Sequence, residues 1–231
     1  MFSPFSMMGM VFLLPLYIFA MFMQFNVKST FKKYAKVRAY RGSTGAEVAR
    51  SILDRNGLND VRIEQVAGAL TDHYDPRSNV IRLSESVYHD QSIAAISVAA
   101  HEVGHAMQYA EGYAPIKVRN SVLPLANIGS QSIGILIFAA FIFRSSLMID
   151  IGILFYLFAI IFHIVTLPVE FNASSRAIAQ LTDGYYIDEE EKKSAKKVLG
   201  AAAMTYVAAA AIAVGELVRL VLYRTMMRDD D

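Results

Sequence analysis

Four stretches of this chain are apolar for long enough to cross a lipid bilayer, which limits the architecture before any motif is considered. They run over residues 7–25, 122–143, 147–167 and 198–223. A hydrocarbon core about 30 Å thick takes roughly 20 helical residues to span. Inside it each backbone polar group must be satisfied within its own segment, so the expected elements are helices. Composition agrees: 55% of the 231 residues are hydrophobic and 19% are charged, with a mean hydropathy of +0.36. That is the profile of a chain living partly in lipid.

Charge sets the orientation. The first stretch carries none, and its start, Met1-Phe2-Ser3-Pro4, lacks the basic residues and small-residue cleavage site of a signal peptide, so a retained anchor is expected. Lys28, Lys32, Lys33, Lys36, Arg38 and Arg41 follow it closely. By the positive-inside rule this cluster stays in the cytoplasm and the N-terminus lies outside. The link Arg144-Ser145-Ser146 holds one cation, whereas Arg176, Lys192, Lys193, Lys196 and Lys197 lie between the third and fourth stretches, so both long polar pieces are expected on the cytoplasmic side.

Within the spans, Asn127, Ser130, Gln131 and Ser132 interrupt the second, and the third carries Asp150 and His163. The fourth is dominated by alanine, suited to packing inside a bundle, with Glu216 and Arg219 spaced to pair. The tail Asp229-Asp230-Asp231 is read as solvated and without a catalytic role. The expected divisions are an anchor (1–27), a cytoplasmic region (28–121), two transmembrane helices (122–167), a second cytoplasmic segment (168–197), and a membrane-embedded alanine-rich helix with the acidic tail (198–231).

A net charge of +1 without basic tracts argues against a nucleic-acid partner. Few paired charges within the spans, and no inverted repeat, argue against a transporter. There is no cysteine, hence no disulfide, thiolate ligand or cysteine nucleophile. That fits a catalytic part facing a reducing compartment.

The largest polar region, residues 42–121, begins with an amphipathic helix capped by Thr44 or Ser43 and ended by Asn56-Gly57. Alternation over 61–66, and segments 70–74 and 80–83 flanking the turn Asp75-Pro76-Arg77-Ser78-Asn79, predict a small antiparallel meander. Its open edge could hold a substrate backbone by strand addition. Next comes an uncharged helical run with Asp90 or Ser92 as N-cap and Gly112 as its stop, carrying His101-Glu102-Val103-Gly104-His105.

Residues four apart stack on one helix face, so His101 and His105 can present two imidazole nitrogens to one metal ion. Glu102 is placed to take a proton from a water on that metal, the division of labour in zinc hydrolases. Gly104 leaves the backbone bare between the histidines, open to close packing by another element. A third ligand must come from the same side of the membrane. Glu170, in a helix that Pro168 could open, completes a two-His, one-Glu set; His73, His89, His163, Asp72, Asp183 and Glu111 compete.

Three blocks carry a resemblance: Ala99-Ala100-His101-Glu102-Val103-Gly104-His105-Ala106, Leu70-Thr71-Asp72-His73-Tyr74-Asp75-Pro76 and Pro168-Val169-Glu170-Phe171-Asn172-Ala173-Ser174. Together they resemble the YugP-type family of bacterial membrane zinc metallopeptidases over nearly the whole chain. More distantly the chain is similar to the HtpX-like and CAAX-prenyl endopeptidases. The resemblance implies that His101, His105 and Glu170 bind Zn2+ and that Glu102 is the general base. Ser174 stands where the distant relatives have Asp, and Asn172 where an acid is expected in closer ones, so the group orienting a ligand histidine is expected elsewhere.

The fold expected is an α-helical membrane protein with about four transmembrane helices and a small α+β zincin-like cytoplasmic domain. The function expected is zinc-dependent peptide hydrolysis at the cytoplasmic face of a bacterial inner membrane. Its substrates would be peptides or proteins, damaged or misfolded membrane proteins among them. Arg176 is the first candidate for an oxyanion donor, with His73 and Tyr74 behind it. The alternative is a non-catalytic scaffold or chaperone-like protein with a structural zinc, a site closed by four protein ligands.

Overall fold

The computed structural model describes residues 4–143 and 145–229, with side chains from 11 to 225 apart from 141, 144 and 146. Residues 1–3 of the uncharged start, Arg144 of the short link and the last two residues of the acidic tail lie outside the described residues. The elements are α1 (Pro4–Tyr34), α2 (Gly45–Arg55), β1 (Arg62–Val66), β2 (His73–Asp75), β3 (Val80–Ser84), α3 (Glu85–Tyr88), α4 (Ile93–Ala110), α5 (Ala114–Phe143), α6 (Ser146–Asp183) and α7 (Glu189–Asp229). They form two compact units. One holds the described residues of Met1–Met23, Ala114–Pro168 and Thr205–Asp231; the other holds Gln24–Tyr113 and Val169–Met204.

The first unit is helical. A Cβ on Gly129 of α5 would sit 2.3 Å from the Phe155 carbonyl oxygen, so the bare glycine lets the α6 backbone approach closely. Glu216 and Arg219 pair at 2.6 Å, and the Tyr17 hydroxyl donates to Glu216 at 2.9 Å. Phe12, Ile135, Phe138 and Leu154 are exposed, a surface that water would disfavour and acyl chains would not. The stretches Val11–Tyr34, Ala114–Ala140, Leu147–Asp183 and Glu189–Thr225 are each long and apolar enough to cross a membrane.

The second unit has its own core. Thr44 and Glu47 close a reciprocal capping box at the start of α2, and Asn56 caps its end. Val48, Ile52 and Leu53 of α2 pack with Ile81 and Leu83 of β3, Ile93, Ile96 and Val103 of α4, Leu181 of α6 and Leu199 of α7. Each such aliphatic side chain contributes about 1.5–3 kcal/mol on full burial.

The sheet departs from the expected antiparallel meander. Its order is β1-β3-β2, with β1 parallel to β3 and only β2 antiparallel to it. Val80, Ile81, Leu83 and Ser84 of β3 are buried, whereas β1 and β2 stay partly exposed. The most apolar strand therefore takes the centre, and residues 67–79 supply the crossover that a parallel pair needs.

Pro168 also departs from expectation. Rather than opening a helix it lies inside α6, which runs on through Glu170 to Asp183. A proline removes one helical donor, and a long apolar helix tolerates that loss.

Candidate metal centre

Ser92 caps α4, its hydroxyl accepting from the Ala95 amide, and the helix runs unbroken through both histidines. Their ring centroids lie 4.7 Å apart with planes at 85°. Gly104 sits between them, and a Cβ there would meet the Ala173 carbonyl oxygen at 2.6 Å. No L side chain fits so near a backbone oxygen, so the glycine brings α6 against α4 at the level of the histidines. Glu170, one turn before Ala173, is thereby delivered to them.

The His101 Nε2 lies 3.3 Å from Glu170 Oε2 and the His105 Nε2 3.6 Å from the same oxygen. Ligand atoms of the three residues all fall within 4.8 Å of one another. A tetrahedral zinc ion with ligands at about 2.0–2.1 Å would hold them roughly 3.3 Å apart, so the spacing suits one ion. Two imidazoles and a carboxylate are also the right donor chemistry for zinc.

The opposite nitrogen of each ring is tethered. His105 Nδ1 is 3.0 Å from the Gln108 side-chain oxygen, and His101 Nδ1 is 3.2 Å from the Ser174 hydroxyl. With Nδ1–H donated to these acceptors, each Nε2 keeps a lone pair directed towards the centre. Burial opposes a charge on His105, but Glu170 and Glu102 outweigh it and raise its pKa above the ordinary imidazole value.

Glu102 is 7% exposed, and its Oε2 accepts the Tyr74 backbone N–H at 3.0 Å. That amide belongs to β2, an edge strand, and points away from β3. The single amide of β2 known to face outward is thus engaged by Glu102, which narrows the room for strand addition there.

The other expected residues fall as follows. His73 is exposed on β2, its Nδ1 2.8 Å from the Thr71 carbonyl. Asp72 accepts from the Ser84 amide at 2.7 Å and from its hydroxyl. The His89 ring meets the Gln65 amide oxygen at 3.0 Å. His163 lies against Phe162 in α6, and Asp183 ends that helix. Arg176 grips Glu111 with two bonds of 2.7 Å, and its Nε donates to Asn172 at 2.8 Å. This pairing holds the Glu111 carboxyl below its usual pKa. Among the described residues, His101, His105 and Glu170 are the group of potential metal ligands that comes together. Gln108, Ser174 in its tethering role and the Tyr74 amide were not foreseen. Their only signal was the spacing of Gln108 three residues after His105 on one helix face.

Comparison with known proteins points to a zinc metallopeptidase family. No solved structure matches the chain. A Bacillus subtilis (strain 168) protein named "Putative membrane protease YugP" is 49% identical over 208 residues, which are 90% of this chain and 92% of that protein. The family described as "Putative neutral zinc metallopeptidase" matches residues 9–225. With nearly its whole length matched and a zinc-fitting His-His-Glu group in place, this chain belongs to that family, as a membrane protein of the YugP type.

Proposed function

We propose that the protein is a membrane-bound metalloendopeptidase in which His101, His105 and Glu170 hold zinc and Glu102 is the general base. The observation that carries this reading is the 3.3 and 3.6 Å approach of the two histidine nitrogens to one Glu170 oxygen, beside the buried Glu102 carboxylate. Zinc bound there supplies a Lewis acid that activates water and polarises the scissile carbonyl. Glu102 takes the proton of the attacking water and returns a proton to the leaving nitrogen. The Tyr74 amide fixes one carboxylate oxygen, leaving the other for that proton.

A second donor must meet the developing oxyanion. Using Arg176 there would break its bonds to Glu111 and Asn172. His73, on the strand that touches Glu102, is free of that cost, and we assign the role to it. Tyr74 is tied through its hydroxyl to Asn79 at 2.8 Å. A structural zinc calls for four protein ligands, and the group among the described residues offers three, which favours catalysis over a scaffold. The cation clusters at 28–41 and 176–197 support a centre at the cytoplasmic surface, with peptides or damaged membrane proteins as the proposed substrates.

The test is cleavage of casein or a reporter peptide by the detergent-purified full chain. Activity is expected in the zinc-loaded protein, and loss on chelation and in Glu102→Gln. Equal cleavage by parent and Glu102→Gln would overturn the assignment of the base.

A further inference from the structure

Gln108 is fully buried, yet it is neither a proposed metal ligand nor the proposed base. A buried primary amide is costly unless its donors and acceptor find partners. Its nitrogen donates to the Val169 carbonyl at 2.8 Å and to the Asn172 side-chain oxygen at 2.9 Å. Its oxygen faces His105 Nδ1 at 3.0 Å. One side chain of α4 therefore touches a metal-ligating ring, the carbonyl next to Glu170, and a residue half a turn beyond Glu170.

The direction of each bond follows from one end of the chain of contacts. A guanidinium has N–H donors only and keeps its charge at any ordinary pH. Arg176 Nε donates to Asn172 at 2.8 Å, so the oxygen of that amide must face it. The same oxygen receives the Gln108 nitrogen, which turns the Gln108 oxygen towards His105. An amide oxygen can only accept, so Nδ1 of His105 must carry a hydrogen, and in the neutral ring that leaves Nε2 bare. Glu111, paired to Arg176 through both oxygens, anchors the far end.

We propose that Arg176, Asn172 and Gln108 are positioning residues that form a polarity relay, fixing His105 in the one tautomer that can bind metal through Nε2. The relay also registers α6 on α4, so the bonds that orient His105 hold Glu170 opposite it. It takes over the orienting role that carboxylates play for metal-bound histidines elsewhere, and explains why Asn172 serves where an acid was expected. The inference rests on the zinc reading of the centre given above.

The test is zinc affinity of the full chain in detergent, by competition with a chromophoric chelator, with zinc-free melting measured beside it. Asn172→Leu keeps the bulk but cannot accept; its zinc affinity should fall about 10- to 100-fold, the loss seen when a ligand's outer partner is removed. Asn172→Asp can still accept from both Arg176 and Gln108, and should bind within about threefold of the parent. Arg176→Met, at the solvent-facing end, should show a smaller loss in the same direction and guards against an unfolded Asn172→Leu. Parent-like zinc affinity in Asn172→Leu and Arg176→Met, with or without a lower melting point, would overturn the relay and leave the zinc centre standing. A parent chain that takes up no zinc would instead overturn the centre itself, and the relay with it.

Discussion

At the scale of single residues, the proposed centre divides into candidate ligands and the groups that hold them. His101, His105 and Glu170 meet at ligand spacing, while Ser174, Gln108 and the Tyr74 amide each fix one group that must not turn. The Tyr74 contact yields a sharp prediction because a proline has no backbone N–H to donate and is tolerated on an edge strand. Its amide serves Glu102 rather than the ladder to β3, so Tyr74→Pro should leave the sheet intact. A hydrogen bond to a charged group contributes about 1.5–3 kcal/mol, so kcat should drop roughly ten- to a hundredfold. Zinc content should stay at the parent level, and Tyr74→Ala, which keeps the amide, separates this from loss of the ring. Unchanged kcat in Tyr74→Pro would show that Glu102 does not depend on the strand. That His101 and His105 share one face of a helix was legible in the sequence because residues four apart stack whatever surrounds them. The roles of Gln108 and Ser174 were not, since they exist only once α6 lies against α4, and no local pattern announces a non-local neighbour.

At the scale of elements, the close crossing of α4 and α6 decides whether a third ligand arrives. Gly104→Ala would force a methyl group against the Ala173 carbonyl, a backbone atom that cannot swing aside. Overpacking of this kind costs about 1–3 kcal/mol. The expected result is a lower melting temperature together with weaker zinc binding, since the strain relaxes by moving Glu170 away. The turn joining β2 to β3 carries a second prediction. Ser78, the Arg77 amide and Arg82 all bond the Asp75 carboxylate and hold its pKa well below the usual carboxylate range. A depressed pKa adds stability that is present above the ordinary carboxylate pKa and lost as pH falls through the folded value. Asp75→Asn should therefore weaken the protein near neutral pH and flatten its loss of stability on acidification, as read by denaturant melts across the acid range. The α2 cap and the α4 start were legible because Thr44, Glu47 and Ser92 act on their own first turns. The sheet order was not: strand alternation tells which face is buried, whereas the central place of β3 depends on which strand has most apolar surface to hide. Pro168 misled for a related reason, since its effect on α6 is set by the helix around it.

At the scale of the whole molecule, four helices fit for a bilayer accompany a second unit with its own core, which carries the candidate metal ligands. The charge asymmetry predicts a topology that can be tested without background, because the chain has no cysteine. A single Lys36→Cys in otherwise native protein should react with a membrane-impermeant maleimide in inverted vesicles and stay unlabelled in intact cells. Labelling in intact cells would reverse the orientation and move the centre to the opposite face. The four long apolar helices were legible from length and hydropathy alone, while α5 and α7 begin earlier than their apolar cores, at Ala114 and Glu189.

The most direct measurement is the zinc content per chain of the purified parent, Glu102→Gln and Glu170→Ala, prepared side by side. The account predicts one zinc in the parent, one in Glu102→Gln despite its lost activity, and none retained by Glu170→Ala. One tightly held zinc in Glu170→Ala would contradict it, because α6 would then not supply the third ligand.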